Sequence, residues 1–431
     1  MVSPLFSIHA PAGAGVSFAY GNKIRMNKFV LITLSAACLA ISGYGGELQD
    51  YLDRGQAQEA SKLWKARLSQ QPADDNLRFE TAVTEVIAGT QELAQKWHRF
   101  GLQSGFEGMV PFLRMPIPRN PQPEAVTYEQ VRRALLDFQT SLNQAASDLA
   151  PIQDSSTMKV PLDVQSIKLE LAPGAGTNEA VRITLWSVFY HMGRGPQPQL
   201  SNGLVHFDVG DARWLEGYCH LLSALIDMQA AYDGRDLFNH TAQLFFPNPV
   251  TPYPYLKVRS APDLSYDNIM DAVTLIHLLH LKLEDPQRMR SARENLLSVI
   301  QLSRRSWRDI DAETDNDHKW IPNPRQDGAL TRNKITPEML QGWNRFLDES
   351  ESLLQGKTLA PFWRLAPGES GEGINLEKVF TQPADFDLVL WLQGTAADPY
   401  LEKGSVSDTR FWSSLNQAFH GDFLYYAIWF N

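Results

Sequence analysis

Apolar residues recur at helical spacing through most of this chain, and that pattern constrains the fold more than any other feature. The clearest case is the segment 128–149, whose apolar residues share one face of a helix: Val131, Leu135, Phe138, Leu142 and Ala145. Further helices are predicted over 181–192, 210–232, 268–283 and 286–309, and another that opens at Thr336-Pro337. Strand-like alternation is confined to short stretches, at 164–171 and 204–207. The chain is therefore predicted to be mainly α, with helical hairpins followed by a larger α-helical body that includes a small β element.

The segment from Met26 to Gly46 has the three parts of a secretory signal peptide: a basic start, an apolar stretch and a small-residue exit. The apolar stretch of about 13 residues is short of the roughly 20 that a membrane-spanning helix needs. Residues 26–45 are therefore predicted to be a signal peptide, cleaved after Ser42 or Gly45. The mature protein is expected to be extracytoplasmic, either periplasmic or secreted, with no transmembrane span left.

Residues 1–25 do not fit a leader, because they are rich in Pro, Gly, Ala and Ser and have no strong hydrophobic period. Translation is therefore expected to begin at Met26, although a cytoplasmic extension before a membrane anchor is the alternative. Cys38 lies inside the leader, but Ser35 occupies the position where a lipoprotein acylation site usually has Leu. Lipid anchoring at Cys38 is not expected.

Charge and cysteine content exclude some functions. The chain has 39 basic and 49 acidic residues, a formal charge of −10, and no basic stripe. Nucleic-acid binding is therefore not expected. The mature chain keeps one cysteine, Cys219, inside an apolar helical segment, where a thiol is most simply a small buried hydrophobe. No motif for an organic cofactor is present, so none is predicted.

The helical segment 47–104 is predicted to form hairpins punctuated by Gly55 and Gly89, and it is followed by a proline-rich linker, 105–127, and the helical body, 128–431. Four positions carry a resemblance to a tetratricopeptide repeat: Tyr51, Ala60, Trp64 and Pro72. Ala82 and Ala94 resemble the matching positions of a degenerate second repeat. The resemblance implies a groove that binds a protein partner, and the alternative is a helical cap packed on the body.

Longer blocks carry a second resemblance. They are Phe207-Asp208, Gly217-Tyr-Cys-His-Leu-Leu222, Leu244-Phe-Phe-Pro247, Trp320-Ile-Pro-Asn-Pro324 and Gln393-Gly-Thr-Ala-Ala397. Together they resemble a family of secreted bacterial proteins of unknown function, the planctomycete type among them. The resemblance implies no activity. Family members often have an Asp-rich, calcium-loop-like stretch after the strand at 167–171, but the corresponding 170–178 here has lost the alternating oxygen ligands. Calcium binding there is not expected.

The acidic segment 309–318 has a carboxylate at every second residue, a pattern that suggests a metal-binding or catalytic role more than any other in the chain. Its metal-ligand candidates are Asp311, Glu313, Asp315, Asp317 and His318. The calcium-loop template fails, because Asn316 occupies the position of the required Gly and Pro322 that of the bidentate Glu. The alternative is a solvated acidic loop after a helix.

His277 and His280 are three residues apart on the predicted helix 268–283, which is apolar nearly all round and is expected to be buried. Two histidines on one helical face could hold a transition metal if a carboxylate came from elsewhere. The alternative is a pair of core histidines satisfied by hydrogen bonds.

Asp208 and Asp211 flank a predicted strand-to-helix turn, and one of them is expected to cap the helix. With His220 they are the catalytic candidates. Cys219 and His220 are adjacent on a helix and so do not face each other, which argues against a thiol nucleophile.

Three functional hypotheses remain. The favoured one is a binding or scaffold protein of the bacterial cell envelope, which expects helical surfaces without a deep polar pocket and no defined reaction. The second is a hydrolase or carbohydrate-active enzyme, which requires Asp208, His220 and the loop 311–320 to converge. The third is a metal-binding protein that uses a divalent ion.

Overall fold

The structure is a computed structural model that describes residues 44–103, 113, 115–172, 179–193, 203–257, 266–329, 334–365 and 371–430. Nearly all of the predicted leader, including Cys38, lies outside the described residues. So do positions 173–178, where the family resemblance places a calcium-loop-like stretch. The part of the chain from Gly45 onward forms one compact unit.

Helices dominate the described residues, which confirms the predicted fold class. We number the α-helices α1 to α14 in chain order: α1 Tyr44–Asp53, α2 Ala57–Gln70, α3 Asp75–Phe100, α4 Tyr128–Leu149, α5 Leu185–Gly193, α6 Val209–Ala230, α7 Arg235–Thr241, α8 Tyr266–Leu278, α9 Pro286–Ala312, α10 Pro337–Leu354, α11 Leu376–Thr381, α12 Leu388–Gln393, α13 Thr409–Ala418 and α14 Phe423–Phe430.

The strands are short and pair antiparallel. They are β1 Val160–Asp163, β2 Lys168–Ala172, β3 Val181–Thr184, β4 Leu204–Phe207, β5 Tyr232–Asp233, β6 His280–Leu283, β7 Ala360–Pro361, β8 Glu372–Ile374, β9 Phe386–Asp387 and β10 Leu401–Lys403. In the described chain they form four small sheets, ordered β1-β4, β2-β3, β5-β6-β9 and β10-β8-β7. The predicted β element is thus divided among several sheets, and each of them lies beside the helices.

Local sequence signals set where the main helices begin and end. The side chains of Asp74, Thr127, Asp285 and Thr336 each accept a hydrogen bond from a backbone N–H in the first turn of α3, α4, α9 and α10. Such caps satisfy N–H groups that have no partner inside the helix. At the end of α3, Gly101 adopts a left-handed conformation (φ 71°) that ends the helix at low steric cost.

The core is a row of helices in which α2, α3, α4, α6 and α9 pack successively against one another. The interior between them is filled by large side chains that are almost completely buried, among them Trp64, Phe79, Trp97, Leu142 and Leu149. Burying side chains of this size stabilises a fold by about 1.5–3 kcal/mol each. The row therefore supplies much of the driving force for folding.

The first predicted hairpin is present as α1 and α2, which are separated at Gly55. Ala60 and Trp64 are buried, and the ring of Tyr51 lies edge-on to the indole of Trp64, 6.0 Å between centroids. The predicted break at Gly89 is wrong, because α3 runs through it without interruption. Gly89 instead lies where α3 approaches α4 most closely: a Cβ at this position would lie 2.7 Å from the Cβ of Ser141.

Two predicted helices are partly strand. The segment 181–192 begins as β3, which pairs with β2, and only then becomes α5. The segment 268–283 ends its helix at Leu278, and residues 280–283 form β6 between β5 and β9. Strand pairing overrides the local helical pattern in both cases, with a neighbouring strand for β3 and with strands distant in sequence for β6. The expected burial of this helix is also wrong, since Met270, Val273 and Ile276 are about half exposed.

The C-terminal segment packs into the body, as its hydrophobic sequence predicts. Phe430 at the end of α14 is buried, with its ring 4.5 Å from that of Trp307 and 5.3 Å from that of Trp343 (centroid distances). Among the described residues, no helix combines the length and the hydropathy needed to cross a membrane.

The close approach at Gly89 makes a testable prediction. We expect Gly89→Ala to lower the free energy of unfolding by about 1–2 kcal/mol, because the new methyl group overpacks the contact with Ser141. Chemical denaturation measures this. Gly46 in α1 has no heavy atom near its virtual Cβ, so Gly46→Ala should be neutral or stabilising. If both variants behave alike, the close packing of α3 on α4 does not constrain residue 89.

Candidate functional site

The N-terminus of α6, strand β4 and the loop 313–329 meet at one side of the molecule. Asp208 caps α6: its Oδ1 accepts a hydrogen bond from the backbone N–H of Gly210 (3.0 Å), while Oδ2 of Asp211 accepts one from the N–H of Asp208 (3.1 Å). These two bonds form a capping box. The prediction that one of the two aspartates caps the helix is confirmed, and both take part.

The ammonium of Lys319 is the centre of this region. Its Nζ lies 2.7 Å from Oε2 of Glu313, 3.0 Å from Oδ2 of Asp208 and 3.2 Å from Oδ1 of Asp315. The Lys319 side chain is only 4% exposed. An ammonium has three N–H donors, and here it meets three carboxylates. We call Asp208, Asp211, Glu313, Asp315 and Lys319 the Lys319 cluster.

The loop that carries Lys319 is held by its own amide side chains. Nδ2 of Asn323 donates to the carbonyl of Ile310 in the last turn of α9 (2.9 Å), which also accepts from the N–H of Glu313 (3.3 Å). Nε2 of Gln326 donates to the carbonyl of Asp315 (2.6 Å) and to Oε2 of Glu313 (3.1 Å). The loop is therefore held by hydrogen bonds of its own, and residues 314–316 and 318 remain exposed, as the alternative of a solvated acidic loop expects.

Burial sets the proton affinity of the acids in the cluster. It raises the pKa of Asp211 well above its usual value, and the neighbouring charge of Asp208 adds to that effect. Burial also raises the pKa of Glu313 to about 7, again with a contribution from Asp208. For Lys319 burial opposes the charge, but the hydrogen bond to Glu313 and the charge of Asp208 prevail and raise its pKa.

These pKa shifts determine which reactions the Lys319 cluster can take part in. Lys319 keeps its proton and has all three donors engaged, so it is not available as a nucleophile or a base. Asp211 is buried, and its carboxyl group is engaged in the capping box of α6. The ion pairs of the Lys319 cluster therefore hold the loop 313–329 against the N-terminus of α6, so the role of this cluster is structural.

A second cluster lies beside the first and is centred on Asp317. Its Oδ2 is 2.7 Å from Nζ of Lys159 and 2.8 Å from Nδ1 of His206, and its Oδ1 is 2.9 Å from Nδ1 of His318. The hydrogen bond from Lys159 is the main reason that the pKa of Asp317 is well below its usual range, and the two histidines lower it further. We call these four residues the Asp317 cluster.

The Asp317 cluster contains a possible metal-ligand set. His206, Asp317 and His318 each offer one ligand atom, and the three atoms lie within 4.8 Å of one another. Asp317 and His318 are among the metal candidates found in the sequence, whereas the other candidates of that segment are engaged elsewhere. Glu313 and Asp315 bind Lys319, and Asp311 pairs with Arg325 at 3.3 Å.

His220 lies far from both clusters. It is on α6 twelve residues after Asp208, which is about 18 Å along a helix at its regular rise. Its Nδ1 is 2.7 Å from Oδ1 of Asn295 on α9, so it bridges two helices. The catalytic constellation of Asp208, His220 and the loop 311–320 therefore does not assemble. Cys219 is buried, and burial raises the pKa of its thiol, as expected of an inert cysteine.

The two remaining histidine candidates lie on different elements. His277 is exposed on α8, whereas His280 begins β6 and its Nδ1 lies 2.8 Å from Oδ2 of Asp387 on β9. The expectation that both share one buried helical face is wrong, because the chain leaves the helix at Leu278 to pair as a strand.

Sequence reasoning missed the three cationic or imidazole side chains that complete the clusters. Lys159 and His206 belong to segments about 110 or more residues before Asp317, and Lys319 reads as one more residue of a polar loop. One feature of the sequence points to His206: it belongs to the predicted strand 204–207 and lies two residues before Asp208. Lys159 and His206 come together because β1 pairs with β4, with Pro161 opposite His206.

A polar cleft of about 550 Å³ lies between the N-terminal helices and the β2–β3 sheet. Its lining is Asp53, Arg54, Gly55, Gln56, Gln58, Glu59, Gln91, Gln95, Lys168, Glu170 and Arg182. We call it the polar cleft. The expectation of helical surfaces without a deep polar pocket stays a prediction, because a volume does not measure the depth of a cleft.

Comparison of the chain with protein-family models, with curated proteins and with solved structures finds no match. The geometry of these sites is therefore the basis for the function proposed below.

Removal of the central cation should destabilise the fold. We expect Lys319→Met to lower the free energy of unfolding at pH 7.5 by about 3–5 kcal/mol, because it leaves buried carboxylates without their counter-charge. The control is Lys378→Met, which removes a partly exposed ion pair with Glu402 and should cost about 0–1 kcal/mol. Adding Glu313→Gln to Lys319→Met should recover part of the loss. Equal effects of the two lysine variants would contradict the assignment.

The buried acids also predict how stability depends on pH. Burial is the main cause that raises the pKa of Glu80, Glu85, Glu216 and Glu313 to about 7. Between the ordinary glutamate pKa and 7, the folded protein therefore holds protons that the unfolded chain has lost, and stability falls as pH rises through this window. Denaturation midpoints should be higher at pH 5 than at pH 8. Glu80→Gln, which keeps an acceptor for the indole N–H of Trp64, should flatten the curve, and a midpoint that rises from pH 5 to pH 8 would contradict the assignment.

Proposed function

We propose that this protein is an extracytoplasmic binding protein of the bacterial cell envelope that holds a polar peptide segment in the polar cleft. The observation that carries the proposal is the cleft itself. It combines a volume typical of ligand sites, which are about 300–1,000 Å³, with a lining made almost wholly of amide and charged side chains. The leader at residues 26–45 supports an extracytoplasmic location.

The walls of the cleft are fixed by bonds between the helices and the sheet. Nε2 of Gln95 on α3 donates to the carbonyl of Glu170 on β2 (2.8 Å), and the backbone N–H of Glu170 donates to Oε1 of Gln91 (3.0 Å). Nε2 of Gln91 also donates to Oε1 of Gln58 on α2. Such a site is preformed, and preforming reduces the entropy that binding must overcome.

The chemistry of the lining favours a peptide. A glutamine side chain has both a donor and an acceptor, as each peptide group does, and four glutamines line the cleft. Gln91 is engaged in the wall at both groups, so Gln56, Gln58 and Gln95 would make the contacts to a peptide. Three acidic and three basic side chains balance in charge, which disfavours a polyanion. Among the lining residues of the described chain none is aromatic, so the stacking platform that sugars generally use is missing from the cleft.

The cleft also agrees with the tetratricopeptide resemblance of the first hairpin, which implies a partner-binding groove in this part of the chain. The polar lining comes from the end of α1 and from α2, α3, β2 and β3. The catalytic alternative gains no support of this kind, because its residues are separated or engaged in structural bonds.

A peptide-binding experiment tests the proposal. The chain from Met26 is expressed in a bacterium, purified from the periplasm and presented with an array of random synthetic peptides and a panel of oligosaccharides. We expect selected peptides to bind, and Lys168→Glu at the cleft to weaken binding at least about tenfold, a change of about 1.4 kcal/mol.

Lys62→Glu is the matched control, since Lys62 is an exposed lysine of α2 that does not line the cleft. It should leave peptide affinity unchanged. N-terminal sequencing of the periplasmic protein should begin at Gly43 or Gly46. The proposal is wrong if no peptide binds, if both lysine variants behave alike, or if only oligosaccharides bind.

A further inference from the structure

We propose that His206, Asp317 and His318 form a binding site for a divalent first-row transition ion of the Zn²⁺ type. The proposal is independent of the polar cleft. It rests on the convergence of three metal-ligating side chains from two distant segments, strand β4 and the loop after α9. One ligand atom of each lies within 4.8 Å of the others.

The arrangement of donors suits a metal ion. The two imidazoles approach opposite oxygens of one carboxylate, with Nδ1 of His206 at 2.8 Å from Oδ2 and Nδ1 of His318 at 2.9 Å from Oδ1 of Asp317. In the metal-free protein a hydrogen occupies each of these short contacts. A single cation with ligand distances of about 2.0–2.2 Å would require both rings to turn toward one point, each imidazole then carrying its proton on Nε2.

The backbone holds the two histidines together. The N–H of His206 donates to the carbonyl of His318 at 3.0 Å, and the ring centroids are 5.3 Å apart. His318 has a φ of 53°, a left-handed conformation that is uncommon for residues other than glycine. That conformation and the hydrogen bond hold the backbone of His318 beside that of His206 before any ion binds.

The surroundings provide an outer shell and a favourable field. Nζ of Lys159 donates to Oδ2 of Asp317 (2.7 Å), and it can keep a lone pair of this carboxylate while the metal takes another. In the adjoining Lys319 cluster three carboxyl groups, those of Asp208, Glu313 and Asp315, surround one ammonium, which biases the local potential toward cations. All three ligands are partly exposed, so an ion can enter and water can fill its remaining coordination positions.

The donor set selects the class of ion. Two nitrogens and one carboxylate oxygen, without thiolates, favour Zn²⁺, Co²⁺ or Ni²⁺. Ca²⁺ and Mg²⁺ prefer shells made of oxygen ligands. The site therefore differs in kind from the calcium loops considered from the sequence.

Metal titration of the whole mature protein tests the proposal. Protein stripped with a chelator is titrated with Co²⁺, whose visible absorption reports coordination, and then with Zn²⁺. We expect one equivalent of Co²⁺ to bind, to be displaced by Zn²⁺, and to resist millimolar Ca²⁺ and Mg²⁺. His206→Asn and His318→Asn should each weaken Zn²⁺ binding at least about tenfold. Asn suits position 318, because it tolerates the left-handed conformation.

The matched control is His280→Asn, which removes a histidine that pairs with an aspartate at the same 2.8 Å but outside the cluster. It should keep the affinity of the unaltered protein. The proposal is overturned if the unaltered protein binds no stoichiometric Co²⁺ or Zn²⁺ at micromolar concentration. It is also overturned if Ca²⁺ or Mg²⁺ displaces the ion, or if His280→Asn loses as much affinity as His206→Asn. The measurement on the unaltered protein decides the question even if a variant fails to fold.

Discussion

The packing of α6 against α9 is the constraint on which the rest of the structure depends. Three contacts run along it: Arg288 with Asp227 at 2.8 Å, Asn295 with His220 at 2.7 Å, and Ser306 with the carbonyl of Gly210 at 2.9 Å. Residue numbers rise along one helix as they fall along the other, so the helices are antiparallel. The end of α9 is thereby placed beside the start of α6, where the loop 313–329 meets Asp208. Both clusters follow from this geometry.

The two clusters at that junction contain similar residue types but differ in which side chains remain accessible to a ligand. In the Lys319 cluster every donor of the ammonium is engaged and the side chain is buried, so its charges stabilise the fold and offer nothing to a ligand. In the Asp317 cluster the imidazoles and the carboxylate are partly exposed and converge on one another. Exposure and convergence distinguish a ligand-binding group from a structural one, and composition alone does not.

The polar cleft and the Asp317 cluster lie on different parts of the helical row and use different chemistry. The cleft is lined by amides and balanced charges that suit peptide groups, whereas the cluster presents nitrogen and oxygen ligands that suit a cation. The connection between them is structural, through α1 and the β1–β2 turn, where Nε2 of Gln49 donates to Oδ1 of Asp53 (2.7 Å) and Oε1 of Gln49 accepts from the N–H of Asp163 (2.8 Å). Each proposal can therefore fail without the other.

The sequence by itself determined the helical class, the caps at Thr336 and Asp208 and the burial of Cys219, because helical periodicity, capping and apolar surroundings are local properties. Tertiary structure decided the rest. Pairing with β2 turned residues 181–184 from helix to strand, and pairing with the distant β5 and β9 did the same for residues 280–283. Helix α3 continues through Gly89, where it packs on α4. The partners of Asp208 and Asp317 that come from other segments, Lys319, Lys159 and His206, lie about 110 to 160 residues away along the chain. No local pattern specifies such neighbours, since they meet only when the helical row brings their segments together.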